Sequence, residues 1–562
     1  MRALRVLCSV ALLLAAAFAD RAIAADPSAF ASSAQQITIT PKSATAATVT
    51  LALKPGAKLS ADAERALGIA PGSGTGRVTV NNLPLDFAAL TRDQQRRDAL
   101  AKRGALTPVF QGREFKAWRQ IALVDAPAIA AAVAAKTPID VPIDTLAGIP
   151  VTIDASRELL ITDLGVVEDP ARTFDACKQT GTPMGAWTFG RLMTDIANGR
   201  DASDMVEKWL RLWMTDQTVN TLTVPARPFV ADFALNTWKR TNGKLDLSQA
   251  PMRLLAIVNR IDLRRSRSWT GGEAGEGRFV FGVLNPANCG ALPLFTLILE
   301  YGVPKSGCAD VHAWAEQWHA LGSLKPGSPP FNAALQQITD TFARANASPA
   351  KPNGSALNQM RTNEIELGTP WELREFRLDP ASHGFFESTT AQTPDIRLNA
   401  NPSVRLLTDY INANQAAILD GSYIVPLKFP PTGRQSALLG GNATNQLTFW
   451  QTIPPANSND ARHGLSLGTC SGCHGRETNA FFTHVSPREA KTTAELSKFL
   501  TGDPGTLRLP GTVTTSDPVD NSPRVYGDLL NRQAQLDAIL GASCSALGAV
   551  QLAVASPLNM VH

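Results

Sequence analysis

"RLLAIVNRIDL" (residues 253–263), "RFVFGVL" (278–284) and "LPLFTLILEYGV" (292–303) are apolar, rich in β-branched and aromatic residues, and too short to be separate helices. Loops of Gly, Asn and Pro join them, so they predict neighbouring strands. A further hairpin is expected in "NEIELGTPWELREFRLD" (363–379). Helices are expected at 226–240, 310–320, 331–346 and 403–418. Strands in one block with short connections and helices around them predict an α+β fold, a mostly antiparallel sheet body with flanking helices, rather than repeated βαβ units. Just before the block, "ELLITDLGVV" reads as a buried strand. "WTFGRLMTDIA" and "DASDMVEKWLRLWM" read as amphipathic helices. Ser203 is placed to cap the second, and Trp209 and Trp213, four apart, are expected to pack into the core.

Residues 26–155 form a distinct N-terminal α+β region. The alternating "QQITIT" and "ATVTLAL" predict strands, "APGSGTG" breaks the chain before a third strand "RVTV", and Ala126 to Lys136 is helical by propensity. Residues 1–25 read as a secretory signal peptide. Arg2 and Arg5 precede an apolar run from Val6 to Phe18, and Ala22-Ile23-Ala24 supplies a small-residue cleavage site. Asp20 and Arg21 cut that run short of the ~20 apolar residues of a membrane span. The expectation is a periplasmic or secreted chain with no integral membrane segment after cleavage. A net charge of +4 gives no concentrated basic surface and argues against nucleic acid as a partner.

Export places the cysteines in an oxidising compartment. Of the seven, Cys8 falls in the leader. If Cys470 and Cys473 are otherwise engaged, Cys177, Cys289, Cys308 and Cys544 allow three connectivities. The preferred one joins Cys289 to Cys308, across a segment read as a strand returning on itself, and Cys177 to Cys544.

The Pro- and Asn-rich "TIPPANSNDARHG" (452–464) is the best boundary in the chain, separating a main α+β domain at 156–455 from a small, mainly helical domain at 456–562. Immediately after it stands "GTCSGCHGRETNAFFTHV" (468–485). Cys470-Ser471-Gly472-Cys473-His474 is C-x-x-C-H: two thiols one helical turn apart, to add to two vinyl groups, and an imidazole beside the second to reach iron. Zinc is a competing reading, with Cys470, Cys473 and His484 as ligands and His474 or Cys544 completing the set. A disulfide between Cys470 and Cys473 is a third.

On "CSGCH" and its size, the C-terminal region of about 100 residues resembles a c-type cytochrome domain. The resemblance implies one covalent haem c, with Cys470 and Cys473 as thioether anchors and His474 as proximal iron ligand. For the sixth position it leaves His484 or Met560. Met560 departs from the family pattern, since only two residues follow it and no last helix does. The implied activity is redox: electron transfer, or haem-dependent oxidation coupled to the α+β body, with a redox partner or a small-molecule substrate. The alternatives are a secreted binding or structural protein held by zinc or disulfide, and a secreted hydrolase.

Other patterns stand beside this one. "GLSLG" (464–468) matches a nucleophile elbow around Ser466 but lacks the preceding apolar strand. "TGGEAGEGR" (270–278) carries Glu273 and Glu276 and reads as a turn or a loose calcium loop. Arg260, Arg264, Arg265 and Arg267 either receive an anion or form a solvated loop, the latter preferred. Glu300, Glu364, Glu366, Glu372 and Glu375 fit acid-base work or simple alternation along a solvent face. Trp314, Trp318 and His319 are expected on a packed helix.

Overall fold

The computed structural model describes residues 34–541, with interior breaks chiefly within 60–68, 85–105, 121–125, 143–152, 265–273, 446–449 and 504–510. The leader, Arg265, Arg267, Glu273, Cys544 and Met560 lie outside the described residues, as does the charged stretch 91–103. The fold is α+β and its sheets are antiparallel.

The strands that matter for the site are numbered in chain order. The N-terminal region supplies β1 (Ala34–Ser43), β2 (Ala46–Leu53), β3 (Arg77–Pro84), the hairpin β4 (Leu106–Gln111) and β5 (Glu114–Gln120), and β6 (Ile139–Pro142). The body contributes β7 (Leu160–Ile161), β8 (Met252–Arg260), β9 (Glu276–Leu284), β10 (Ala291–Gly302), β11 (Leu357–Glu364), β12 (Trp371–Leu378), β13 (Phe385–Ser388) and β14 (Asn442–Asn445). Near the C-terminus come β15 (Val513–Ser516) and β16 (Pro523–Tyr526). The eight strands β7 to β14 form one sheet in the order β13-β12-β11-β10-β9-β8-β7, with β14 also paired to β12. The three apolar runs are its centre, as expected. Strands β1, β2, β3 and β6 make a separate sheet, while β4 and β5 join β15 and β16 in another.

Side chains alternate across the large sheet because the strand period is two. One face carries Phe279, Phe281, Phe295, Leu297, Leu299, Tyr301, Met360 and Phe376 into the main hydrophobic core. Helices α1 (Phe189–Ala197), α2 (Ala202–Arg211), α3 (Cys308–Ala320) and α4 (Pro329–Ala343) cover it. Trp209 packs edge-on against Phe376 and Trp213 tilts against the same ring, so both tryptophans are core, as their spacing predicts. Trp314 and Trp318 meet edge to face at 5.9 Å on α3.

The opposite face carries Val258, Arg260, Arg278, Val280, Thr296, Ile298 and Arg361, and the C-terminal part of the chain lies over it. Helices α5 (Asn459–Leu467) and α6 (Cys470–Cys473) belong to this layer. Its hydrophobic cluster runs across the boundary placed at 456, joining Leu160, Leu255, Val258 and Val280 to Leu467, Cys473, Phe499, Val513 and Tyr526. Helix α7 (Asp528–Gly541) spans both layers, with Leu536 and Ile539 in the main core and Arg532 on the opposite side. No helix among the described residues is long and apolar enough to cross a membrane.

Several local expectations are corrected. Cys289 pairs with Cys177, so neither the expected Cys289–Cys308 bond nor the expected Cys177–Cys544 bond forms. The segment read as returning on itself is one continuous twelve-residue strand, β10, which separates 289 from 308 by roughly 40 Å of extended chain, far beyond disulfide reach. The run "ELLITDLGVV" forms only the two-residue edge strand β7, because Asp163 caps a short helix, Leu164–Val167, directly after it. Asp201, not Ser203, caps α2 by accepting the Asp204 N–H. In place of a helix over 226–240 there is a single π turn, Ala231–Leu235.

Replacing both Cys177 and Cys289 with Ala is expected to cost about 2–5 kcal/mol of stability, because the cross-link closes a loop over a sequence separation of 112. Cys308→Ala is expected to leave the bond intact; thermal unfolding and a non-reducing peptide map check both.

Candidate functional site

The site begins with one turn of helix. Thr469 caps α6 through its hydroxyl, which accepts the Gly472 N–H at 3.0 Å and the Trp450 indole N–H at 2.7 Å. The turn lies directly on the end of α5. A Cβ on Gly472 would stand 2.1 Å from the Ser466 carbonyl oxygen, so only glycine fits there. Ser466 is fully buried and its Oγ accepts the Trp450 N–H at 3.1 Å, which makes it a prop for this turn rather than an exposed nucleophile.

Cys470, Cys473 and His474 are all buried. Both cysteines stay as thiols, and burial pushes Cys470 up to about 12 and raises Cys473 as well. His474 Nδ1 stands 2.7 Å from the Phe482 carbonyl, which assigns the ring proton to Nδ1 and the lone pair to Nε2. Asn363 Nδ2 on β11 donates to the same carbonyl at 2.7 Å. The Trp371 ring stacks on His474 at 5.4 Å. Burial lowers His474 to about 4, so its imidazole is neutral at pH 7.

The structure brings His484 to the same place. Its ring centre is 4.5 Å from that of His474, its Nε2 is 3.3 Å from Cys473 Sγ, and its Nδ1 is 2.8 Å from Ser497 Oγ. Burial, and then His474, hold His484 well below the ordinary range.

Both histidines line a cavity of about 620 Å³, the open solvent at its entrance included, between the motif and the second face of the large sheet. Leu160, Val258, Val280, Ile298, Phe499 and Leu500 give it apolar walls, and Arg113, Arg260, Arg278 and Arg532 give it guanidinium groups. An apolar pocket with a few convergent charges is the ordinary form of a cofactor or ligand site.

Those arginines came from places the sequence reading treated otherwise or passed over. Arg113 sits at the tip of the β4–β5 hairpin, some 350 residues before the motif, and reaches Cys473 Sγ at 3.4 Å and Asp528 at 3.1 Å. Arg532 pairs with the other oxygen of Asp528 at 2.6 Å, and Arg260 with Asp262 at 2.8 Å. Three guanidinium groups thus share two carboxylates. Burial, followed by the nearby charge of Arg260, lowers Arg532 to about 10, the signature of positive charge crowded in a dry space. Arg260 and Arg264 are buried, against the preferred solvated-loop reading.

The glutamates expected on a solvent face are buried too. Glu300, Glu364, Glu372 and Glu375 are at most 1% exposed, and only Glu366 is partly open. Arg278 meets Glu300 at 3.1 Å, Glu300 meets Arg361 at 3.0 Å, and Arg361 meets Glu375 at 2.8 Å, a ladder running across strands β9 to β12. Glu276 is engaged by Arg278 at 2.6 Å, which removes it from any calcium loop.

Two thiols on one turn, an oriented neutral imidazole, a second imidazole, apolar walls and clustered guanidinium groups stand close together here. They do not converge as a zinc set would. Among the described residues the convergent group of histidine, cysteine and carboxylate ligand atoms is His463, Glu477 and Asp517, which includes neither cysteine. No family model, curated protein or solved structure matches the chain.

Glu477 anchors this layer. It takes Arg462 at 2.9 Å and His463 Nδ1 at 2.5 Å. Burial alone would raise its carboxyl; the His463 hydrogen bond and Arg462 outweigh that and hold it at about 2. A carboxyl lowered from 4.5 stabilises the fold fully above pH 4.5, and that contribution is lost as pH falls towards 2. Glu477→Gln is expected to lose on the order of 3 kcal/mol at pH 7. The gap to the parent in urea unfolding should narrow between pH 4.5 and pH 3.

Proposed function

We propose that this chain is an exported c-type haem protein with a redox role. Haem would be attached through Cys470 and Cys473 and ligated by His474. The observation that carries the reading is the placement of C-x-x-C-H on one buried turn whose His474 lines an apolar, arginine-bearing cavity, with His474 Nδ1 held by a backbone carbonyl. An imidazole whose far nitrogen is fixed by a hydrogen bond presents the other nitrogen to a metal in one orientation.

When bound, the haem supplies a one-electron ferric/ferrous couple. The chain's own residues do the rest. Arg113, Arg260 and Arg532, already paired with Asp528 and Asp262, would be the positive charge nearest the propionate carboxylates. Leu160, Val258, Val280 and Phe499 line the cavity and would exclude water from the ring. Trp371 and Asn363 keep the His474 imidazole and its carbonyl partner in register. His484 lines the same cavity, with its ring centre 4.5 Å from that of His474, and is the second histidine that would serve the iron; Met560 is the alternative left by the sequence. The apolar leader at residues 1–25 supports export, which c-type maturation requires.

The test is a haem-stained denaturing gel of protein exported from a host with c-type maturation. Stain that survives denaturation is expected for the parent and is expected to vanish or weaken sharply in Cys473→Ala. An unstained, matured parent would overturn the reading. His484→Ala is expected to keep the stain while the ferric spectrum moves from low spin to high spin.

A further inference from the structure

A second cavity opens at the end of the large sheet where β8 begins and β9 ends, and none of its lining residues lines the first. It encloses about 650 Å³, the open solvent at its entrance included. Val167, Leu254 and Leu284 give it buried apolar walls, and Phe174 and Met252, half-buried, extend them. Four cations, Arg253, Arg488, Lys178 and Lys491, line it beside two carboxylates, Glu168 and Asp175.

The two arginines fasten the C-terminal layer to β8. Arg253 Nη1 donates to the Arg488 carbonyl at 2.9 Å, and Arg488 Nη2 donates in return to the Leu254 carbonyl at 3.0 Å. Glu168 is committed to this fastening, since it accepts Arg488 Nη1 at 2.5 Å and the Lys491 N–H at 2.8 Å. Asp175 is committed to its own turn. Its Oδ1 accepts the Cys177 and Lys178 N–H groups at 3.0 and 3.1 Å, between the paired segments Phe174–Asp175 and Thr180–Gly181. The Cys177–Cys289 bond ties that turn to the connection between β9 and β10, so this wall of the cavity is held covalently.

Arg253 keeps open donors. It is 9% exposed, and among the described residues the one hydrogen bond of its guanidinium is that to the Arg488 carbonyl. The nearest carboxylate oxygens, of Asp175 at 3.6 Å and of Glu489 at 3.8 Å, stand beyond hydrogen-bonding distance. Arg488, 3% exposed, has its Nε without a partner among the described residues. Burial lowers the Arg488 guanidinium although Glu168 pulls the other way, and the charge of Arg253 lowers it further. Buried donors beside a cavity cost free energy when no acceptor meets them, and a bound acceptor recovers it.

We infer that this cavity binds a small organic carboxylate, with the Arg253 guanidinium holding the carboxylate and the apolar walls holding the body of the ligand. A guanidinium carries five N–H donors in a planar fork, and the open ones match the two oxygens of a carboxylate in one plane. The apolar walls and the two resident carboxylates favour a singly charged ligand with an apolar body over inorganic phosphate, which brings more charge and no apolar surface. Neither cysteine of the C-x-x-C-H turn lines this cavity, so the inference and the haem reading stand or fall separately.

The experiment is a calorimetric titration of the full exported chain, whether or not it carries haem, with benzoate, with its neutral counterpart benzamide, and with inorganic phosphate. Benzoate is expected to bind saturably at one site, with benzamide and phosphate each at least tenfold weaker. Arg253→Gln is expected to weaken benzoate at least tenfold, and Arg253→Lys not to restore it, because a point charge lacks the planar fork. Ala490→Trp, which narrows the cavity without touching either arginine, is expected to weaken benzoate as well. Thermal unfolding identifies the variants that fold as the parent does, and the comparison of benzoate with benzamide needs no variant. The inference is overturned by an absence of saturable benzoate binding up to about 10 mM. It is equally overturned if benzamide or phosphate binds as tightly as benzoate, or if folded Arg253→Gln or Ala490→Trp keeps the parent's benzoate affinity.

Discussion

Charge buried between layers is the constraint on which the structure depends. The second face of the large sheet carries Arg260, Arg278, Glu300, Arg361 and Glu375, all nearly or fully removed from water. An isolated charge in such a place is costly, whereas a paired and hydrogen-bonded one is tolerated. The antiparallel register meets the demand by setting Arg278 opposite Glu300 and Arg361 opposite Glu375 on adjacent strands. The pairing lets a sheet with an apolar first face take a second covering layer on a face that is half ionic. That layer is the C-terminal part of the chain, and the cavity opens between the two.

The site is consequently assembled from remote stretches. The motif provides thiols and an imidazole; strands β8 to β11 provide the floor; the β4–β5 hairpin provides Arg113; the start of α7 provides Asp528 and Arg532. The hairpin is tied in twice, by Arg113 to Asp528 and by the pairing of Glu114 with Tyr526. Arg113 contributes to the wall of that cavity, so the N-terminal region forms part of the machinery rather than an appendage. Small structural details serve the same end, as where Gly472 lies against the Ser466 carbonyl and lets α6 sit on α5.

Local patterns were read correctly where a short-range rule decides the outcome. The apolar runs at 253–263, 278–284 and 292–303 became central strands because their composition leaves little choice. Trp209 and Trp213 entered the core because residues four apart share a helical face. Reading failed where a distant partner decides it. The solvent face assigned to Glu300 and Glu375 and the solvated loop assigned to Arg260 assumed that charge means exposure. Nothing near them in sequence announces the layer that covers them. The partner of Cys289 was missed for the same reason, since residue 177 lies on the far side of α1 and α2 in the chain.

By itself the sequence determined the α+β class, the strands at the centre of the sheet and the C-x-x-C-H turn, because each depends on periodicity or spacing within a few residues. Tertiary structure alone decided that the turn faces a cavity floored by the sheet. It also decided that His484 lies against His474 and that Arg113, Arg260 and Arg532 converge on one space. Convergence of side chains hundreds of residues apart follows from the order in which strands pair and layers stack, and no local propensity encodes it.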